Sequence, residues 1–166
     1  GLRIGVLGCA NIARQFARDV SPRDTVRVVA VGSRNADTAA GFAAACGIGR
    51  HYGSYEALLA DAELDAVYLP LPNSLHAQWA IKALESGKHV LCEKPLAPSR
   101  DEATAMFDAA RHHDVLLLES LPYLFQPQTR DLLALLETGA IGAVRSVQAS
   151  FGFTLPSSGD NIRMKP

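Results

Sequence analysis

Short apolar runs closed by turn residues alternate along the chain with stretches of helical periodicity, and that alternation predicts its elements. Residues 2–7 are apolar apart from Arg3 and Gly5 and predict a first strand. Helical spacing then runs from about Asn11 to Asp19 and stops at Ser21-Pro22, after which the β-branched residues 26–31 predict a second strand. Asn35 is placed to cap an Ala-rich helix that Gly47 ends, and Ser54 to cap a short helix reaching about Ala60. Residues 66–71 predict the third strand. Trp79, Ala80, Ala83 and Leu84 form a helical stripe ended by Gly87, and residues 89–92 predict the fourth strand. Ser99 and Glu102 make a capping box for a helix whose apolar face is Ala103, Met106, Phe107 and Ala110, and residues 115–118 predict strand five.

Strands buried on both faces and joined by helices call for a parallel sheet, and right-handed crossovers make that a doubly wound α/β Rossmann fold over residues 1–121. Beyond it, Leu132, Leu133, Leu135 and Leu136 mark a helix ahead of Gly139. Between residues 144 and 153 the pattern changes to alternation. Val147, Ala149, Phe151 and Phe153 fall on one face against Ser146, Gln148 and Ser150 on the other, as in a half-solvated antiparallel strand. One strand cannot make a stable sheet, so residues 122–166 are expected to be the incomplete beginning of a second domain with an antiparallel sheet.

The 166 residues suit one ordinary domain with some length to spare. Sixteen Lys+Arg against seventeen Asp+Glu leave a net charge of -1 with neither sign gathered in a run, which argues against nucleic acid and phospholipid as partners. Apolar types make up 48%, yet no run approaches the roughly 18 uninterrupted residues of a membrane span, and no basic, apolar leader opens the chain. The expectation is a soluble cytoplasmic protein. Cys9, Cys46 and Cys92 lie far apart without a C-x-x-C, which predicts buried thiols rather than a disulfide framework or a metal site. His112 and His113 have no metal-ligand partner at helical spacing and receive no function.

Candidate chemistry collects at the strand ends. Gly8-Cys9-Ala10-Asn11-Ile12-Ala13 stands between a strand and a helix, where a dinucleotide fingerprint belongs, although Ala10 replaces the glycine that normally lets the backbone approach pyrophosphate. Small residues favour any such turn, so a purely structural reading stands beside the functional one. Helix-terminal N–H groups near Asn11 and Ile12 would favour an anion. At the end of strand two an NAD enzyme places Asp or Glu for the ribose 2′-hydroxyl, whereas this chain has Ser33-Arg34. A hydroxyl and a guanidinium suit a 2′-phosphate, favouring NADP over NAD unless Arg34 is merely solvated.

Strands three and four lead into Leu71-Pro72-Asn73-Ser74-Leu75-His76 and Cys92-Glu93-Lys94-Pro95, which by position would border the nicotinamide end of a dinucleotide. Lys94 could donate a proton to a carbonyl oxygen as hydride reaches the carbon, with partial burial lowering its pKa. The plainer alternatives are a surface ion pair for Glu93 and Lys94 and, for His76, a helix-start histidine bonded to the chain. Tyr123, Gln126 and Gln128 could meet sugar hydroxyls or pack as a hinge. Hydrolase elbow, Walker loop and zinc-protease motifs do not occur in the sequence.

Taken together, Arg3–Ala13, Ala30-Val31-Gly32-Ser33-Arg34, Pro72-Asn73-Ser74-Leu75-His76 and Gly87-Lys88-His89-Val90-Leu91-Cys92-Glu93-Lys94-Pro95-Leu96 resemble the glucose–fructose oxidoreductase/inositol dehydrogenase (Gfo/Idh/MocA) family. Within it the Gly-Cys-Ala opening is similar to that of NADP-dependent sugar dehydrogenases, sugar ketoreductases and dihydrodiol dehydrogenases. The resemblance implies a Rossmann domain followed by an α/β domain whose open antiparallel sheet holds a sugar-like substrate and makes a homodimer or higher homo-oligomer. It assigns Lys94 to substrate binding and proton transfer, and Pro72, Asn73, His76 and Glu93 to the cofactor pocket. Arg163 falls where related proteins carry an arginine shortly before a Gly-rich segment that leads to a catalytic Tyr or His, a segment this sequence does not contain. The expected function is a hydride transfer between NADP and a sugar, polyol or cyclic ketone. The rivals are a dinucleotide-sensing regulatory protein without catalysis and an α/β module that binds nothing.

Overall fold

A computed structural model describes residues 1–152 and 154. Six strands, β1 (Leu2–Leu7), β2 (Val26–Gly32), β3 (Arg50–Tyr52), β4 (Ala66–Leu69), β5 (His89–Glu93) and β6 (Leu117–Ser120), form one sheet in the order β3-β2-β1-β4-β5-β6. Every pairing is parallel, so all the carboxyl ends meet at one rim, and the order reverses between β1 and β4. That reversal opens the crevice in which ligands collect in doubly wound sheets. The helices are α1 (Asn11–Val20), α2 (Ala36–Cys46), α3 (Tyr55–Leu59), α4 (His76–Glu85), α5 (Arg100–His112) and α6 (Pro127–Glu137).

The apolar runs of the sequence become strands covered on both sides. Ile4 and Val6 of β1, Val31 of β2 and Tyr68 of β4 pack with Ala13 of α1 and with Phe42 and Ala43 of α2. Leu7, Val67, Leu69, Val90 and Cys92 belong to the other cluster, with Leu58, Trp79, Leu84 and Met106 from α3, α4 and α5. Alternate side chains thus enter different cores, which is why these segments do not read as apolar-polar alternation.

The expected caps form. Asn35 Oδ1 accepts the Thr38 N–H at 2.9 Å, and Ser54 Oγ accepts that of Ala57 at 3.1 Å. Ser99 Oγ accepts the Glu102 N–H while donating to Glu102 Oε2, and Gly47 closes α2 in the left-handed region. α3 lies close on β2 because Gly32 leaves it room: a Cβ there would meet Leu58 Cβ at 3.1 Å and the Ser54 carbonyl oxygen at 3.3 Å.

Three elements differ from expectation by more than a residue. β3 went unpredicted because Arg50-His51-Tyr52 carries no apolar run; it exists through its pairing with Ala30–Gly32 of β2. β4 stops at Leu69 rather than at 71, and the next residue is Pro70, which has no N–H for the ladder. β6 begins two residues late, since pairing with Val90–Glu93 selects Leu117–Ser120.

The chain divides into two compact units, Gly1–Pro122 and Tyr123–Pro166. In the second, α6 forms as expected, but residues 144–152 make no strand, and Phe153 lies outside the described residues. Alternation marks which face a strand would bury, but a strand needs a ladder, and residues 144–152 join none.

At the amino ends of the strands a polar network ties the sheet together. Arg3 grips Asp65 with Nε at 3.0 Å and Nη2 at 2.7 Å, which holds that carboxyl at a pKa of about 2. Tyr52 donates to Asp61 at 2.9 Å, and Arg50 pairs with both Asp61 and Glu63.

Candidate functional site

Between β1 and α1, Gly8 takes a φ of +106° and donates its N–H to the Gly32 carbonyl at 2.8 Å. A Cβ at Gly8 would lie 2.9 Å from Leu71 Cδ2, so only glycine keeps the turn flat against the exit of β4. Ala10 is the N-cap of α1 and offers no side-chain acceptor. Its carbonyl takes the N–H groups of Ala13 and Arg14, which leaves those of Asn11 and Ile12 for an incoming anion. Asn11 and Ile12 are both exposed.

At the end of β2, Ser33 is buried, receives the Asn35 N–H on its hydroxyl oxygen at 3.3 Å, and leaves Arg34 exposed. Sequence reasoning missed Tyr55. Its ring is 5% exposed and meets Trp79 edge-on, while its hydroxyl would stand 3.9 Å from a Cβ on Gly8. Burial raises the pKa of that hydroxyl, while the nearby Arg34 guanidinium pulls it the other way. Gly8, Arg34 and Tyr55 thus share one corner, and its donors suit a phosphorylated ribose.

The exits of β4 and β5 are joined through His76. The ring is wholly buried, with Nδ1 2.9 Å from the Pro95 carbonyl oxygen and Nε2 2.8 Å from that of Leu71. Both nitrogens are spent on the chain. His76, assigned by resemblance to the cofactor pocket, thus holds the exits of β4 and β5 in register. Leu71 is buried, whereas Pro72 and Asn73 are exposed at the start of the short turn Asn73–Leu75.

Lys94 follows β5, and its peptide bond to Pro95 is cis. The side chain is exposed, not partly buried as expected, because it stands beyond the carboxyl end of β5. The alternative of an ion pair with Glu93 does not form; the Glu93 carboxylate instead takes the Tyr68 hydroxyl at 2.8 Å and the Lys94 N–H at 3.3 Å. Glu119 of β6 accepts the Leu96 N–H at 2.8 Å. Tyr123 is 57% exposed in the second unit, and Arg163 lies outside the described residues.

A cleft of about 570 Å³ lies elsewhere, at the amino ends of β1 and β2, lined by Arg3, Arg23, Arg27, Cys46, Arg50 and Glu63. Two of its guanidiniums already serve Asp65, Asp61 and Glu63. Cys9 and Cys46 are half-buried and Cys92 is buried, all three as free thiols. Among the described residues, no helix is long and apolar enough to cross a membrane and no group of three or more His, Cys, Asp or Glu gathers to hold a metal ion.

The chain is 44% identical over 165 residues to D-xylose 1-dehydrogenase (NADP(+)) 2 of Haloferax volcanii, covering 99% of this chain and 50% of that protein. It is 42% identical to dTDP-3,4-didehydro-2,6-dideoxy-alpha-D-glucose 3-reductase of Actinomadura kijaniata, covering 96% and 48%. The crystal structure of a 3-ketoreductase from Actinomadura kijaniata with NADP and TDP-benzene superposes with a TM-score of 0.77 at 41% identity, over 83% of this chain and 42% of that one. The chain spans about half the length of the curated relatives it matches. The parallel sheet in Rossmann order, the glycine turn and the lysine-bearing exit of β5 agree with the match of residues 2–120 to the oxidoreductase family with an NAD-binding Rossmann fold, Gfo/Idh/MocA, and the chain belongs to that family.

Proposed function

We propose that the protein is an NADP-dependent oxidoreductase that interconverts a hydroxyl and a carbonyl on a sugar or related cyclic alcohol. The observation that carries this reading is the continuity of the rim. Gly8 abuts Leu71, Leu71 is bonded to His76, and His76 is bonded to Pro95 beside Lys94. One extended ligand can therefore lie from the anion corner to the amine. The N–H groups of Asn11 and Ile12, with Gly8 and Ala10 giving close approach, fit the pyrophosphate, and Ser33 and Arg34 fit the 2′-phosphate. Leu71, Pro72, Asn73 and Glu93 line the nicotinamide end. The bound cofactor supplies the hydride chemistry. Lys94 holds a proton at Nζ, gives it to a substrate carbonyl oxygen in the reducing direction and takes it from a hydroxyl in the other.

Relatives named for NADP-dependent xylose oxidation and for dTDP-sugar ketone reduction support a sugar-like substrate. Tyr123 and Arg163 are the candidates for its hydroxyls and belong, in this reading, to a second, substrate-holding and dimer-forming domain from residue 122 onward. Three free thiols suit a reducing compartment, the cytoplasm. The test is Lys94→Ala with D-xylose as substrate. Turnover should fall by about 100-fold or more while NADPH affinity stays within a few-fold, and unchanged turnover refutes the role.

A further inference from the structure

The turn that carries Lys94 is gripped on both flanks by side chains that the sequence pattern treats as ordinary sheet residues. Before the lysine, Glu93 closes β5 with Oε1 on the Tyr68 hydroxyl at 2.8 Å and Oε2 on the Lys94 N–H at 3.3 Å. After it, the Leu96 N–H donates to Glu119 Oε1 at 2.8 Å, and Cys92 Sγ stands 3.9 Å from the Leu96 carbonyl oxygen. The Tyr68 ring is 2% exposed and stacks on Phe16 at 4.1 Å, packing that a phenylalanine would provide equally well. Its hydroxyl therefore adds nothing to the core except the bond to Glu93. Glu119 lies on β6, at the edge of the sheet, where the side chain could turn to water but instead holds a backbone N–H of the turn.

Lys94 itself is exposed and forms no ion pair among the described residues, so its placement comes from the backbone beneath it. We infer that Tyr68 and Glu119 are positioning residues for Lys94: the hydroxyl fixes residue 93, the carboxylate fixes residue 96, and together they set the direction in which the amine leaves the rim. The inference rests on Lys94 being the proton carrier proposed above. A misplacement of about 1 Å at a reacting group can cost on the order of 100-fold in rate, so two hydrogen bonds remote from the substrate are enough to matter.

The experiment compares Tyr68→Phe, Glu119→Leu and Glu119→Gln with the parent in the intact protein, reading kcat and KM for NADP-dependent D-xylose oxidation and the calorimetric affinity for 2′,5′-ADP, which occupies only the adenosine end. Tyr68→Phe and Glu119→Leu should each lower kcat about tenfold, as expected for loss of one charge-assisted hydrogen bond, with 2′,5′-ADP affinity within twofold of the parent. Glu119→Gln keeps an oxygen for the Leu96 N–H and should recover kcat to within about threefold. Parent-like kcat in Tyr68→Phe and Glu119→Leu, or a glutamine variant as impaired as the leucine one, overturns the inference while leaving the proposed function intact. A parent that neither binds 2′,5′-ADP nor turns over overturns the proposed function, and the inference with it.

Discussion

In the proposed function, Arg34 is the residue on which cofactor choice turns. It is exposed beside the Tyr55 hydroxyl, in the place where a carboxylate would accept from a ribose hydroxyl. Arg34→Asp should invert the preference, weakening NADPH about tenfold or more while NADH gains, and titration of both nucleotides against the variant reads it directly. Such a residue is legible because its charge contradicts the usual sign at a strand end. Lys94 stands out in the sequence by its position at the exit of a strand. Tyr68, His76 and Glu119 do not, since a buried tyrosine, a helix-start histidine and a strand glutamate are ordinary until their partners are known. Asp65 carries a different consequence. Its carboxyl is held at about 2 by Arg3 against an ordinary 3.8, so the folded state binds its proton more weakly than the unfolded chain does. The stabilisation it brings is complete above about pH 5 and drains away as the pH falls through about 2. Asp65→Asn should flatten the acid limb of a urea-unfolding series across that window, and an unchanged limb counts against the pair.

For the elements, packing rather than propensity decides the outcome. α3 has only five residues, too short to stand alone, and is held by Ser54 at its start and by Leu58, wholly buried, against Gly32. Leu58→Ala should cost about 2–5 kcal/mol in denaturant unfolding, and because Tyr55 rides on the same helix it should also weaken 2′,5′-ADP binding. The cap of α2 is the milder case, Asn35→Ala costing about 1 kcal/mol by the same assay. Five of the six strands were legible because each is an apolar run bounded by turn residues. β3 was not, because Arg50-His51-Tyr52 is a strand only by virtue of its neighbour β2. Residues 144–152 are the converse case, where alternation predicts a strand and the described residues form no ladder.

Across the whole molecule, the sheet places its two ends in separate roles. The amino ends carry Arg3, Asp65, Arg50, Asp61 and Glu63, which satisfy one another, while the carboxyl ends carry donors left open for a ligand. Binding should therefore stabilise the fold as a unit: NADPH at about 100 times its Kd adds about 2.7 kcal/mol, seen as a rise in the unfolding midpoint, and no rise would count against the cofactor. Trp79, the chain's single tryptophan, lies within this arrangement. Its indole meets the Tyr55 ring at 4.8 Å and carries the Lys82 ammonium 4.3 Å above its face. A nucleotide that draws Arg34 or the Tyr55 hydroxyl toward its phosphate disturbs the surroundings of the Trp79 indole. Under the proposed function, Trp79 is thus an intrinsic optical reporter of the adenosine corner, and its emission should follow occupancy in real time without any attached dye.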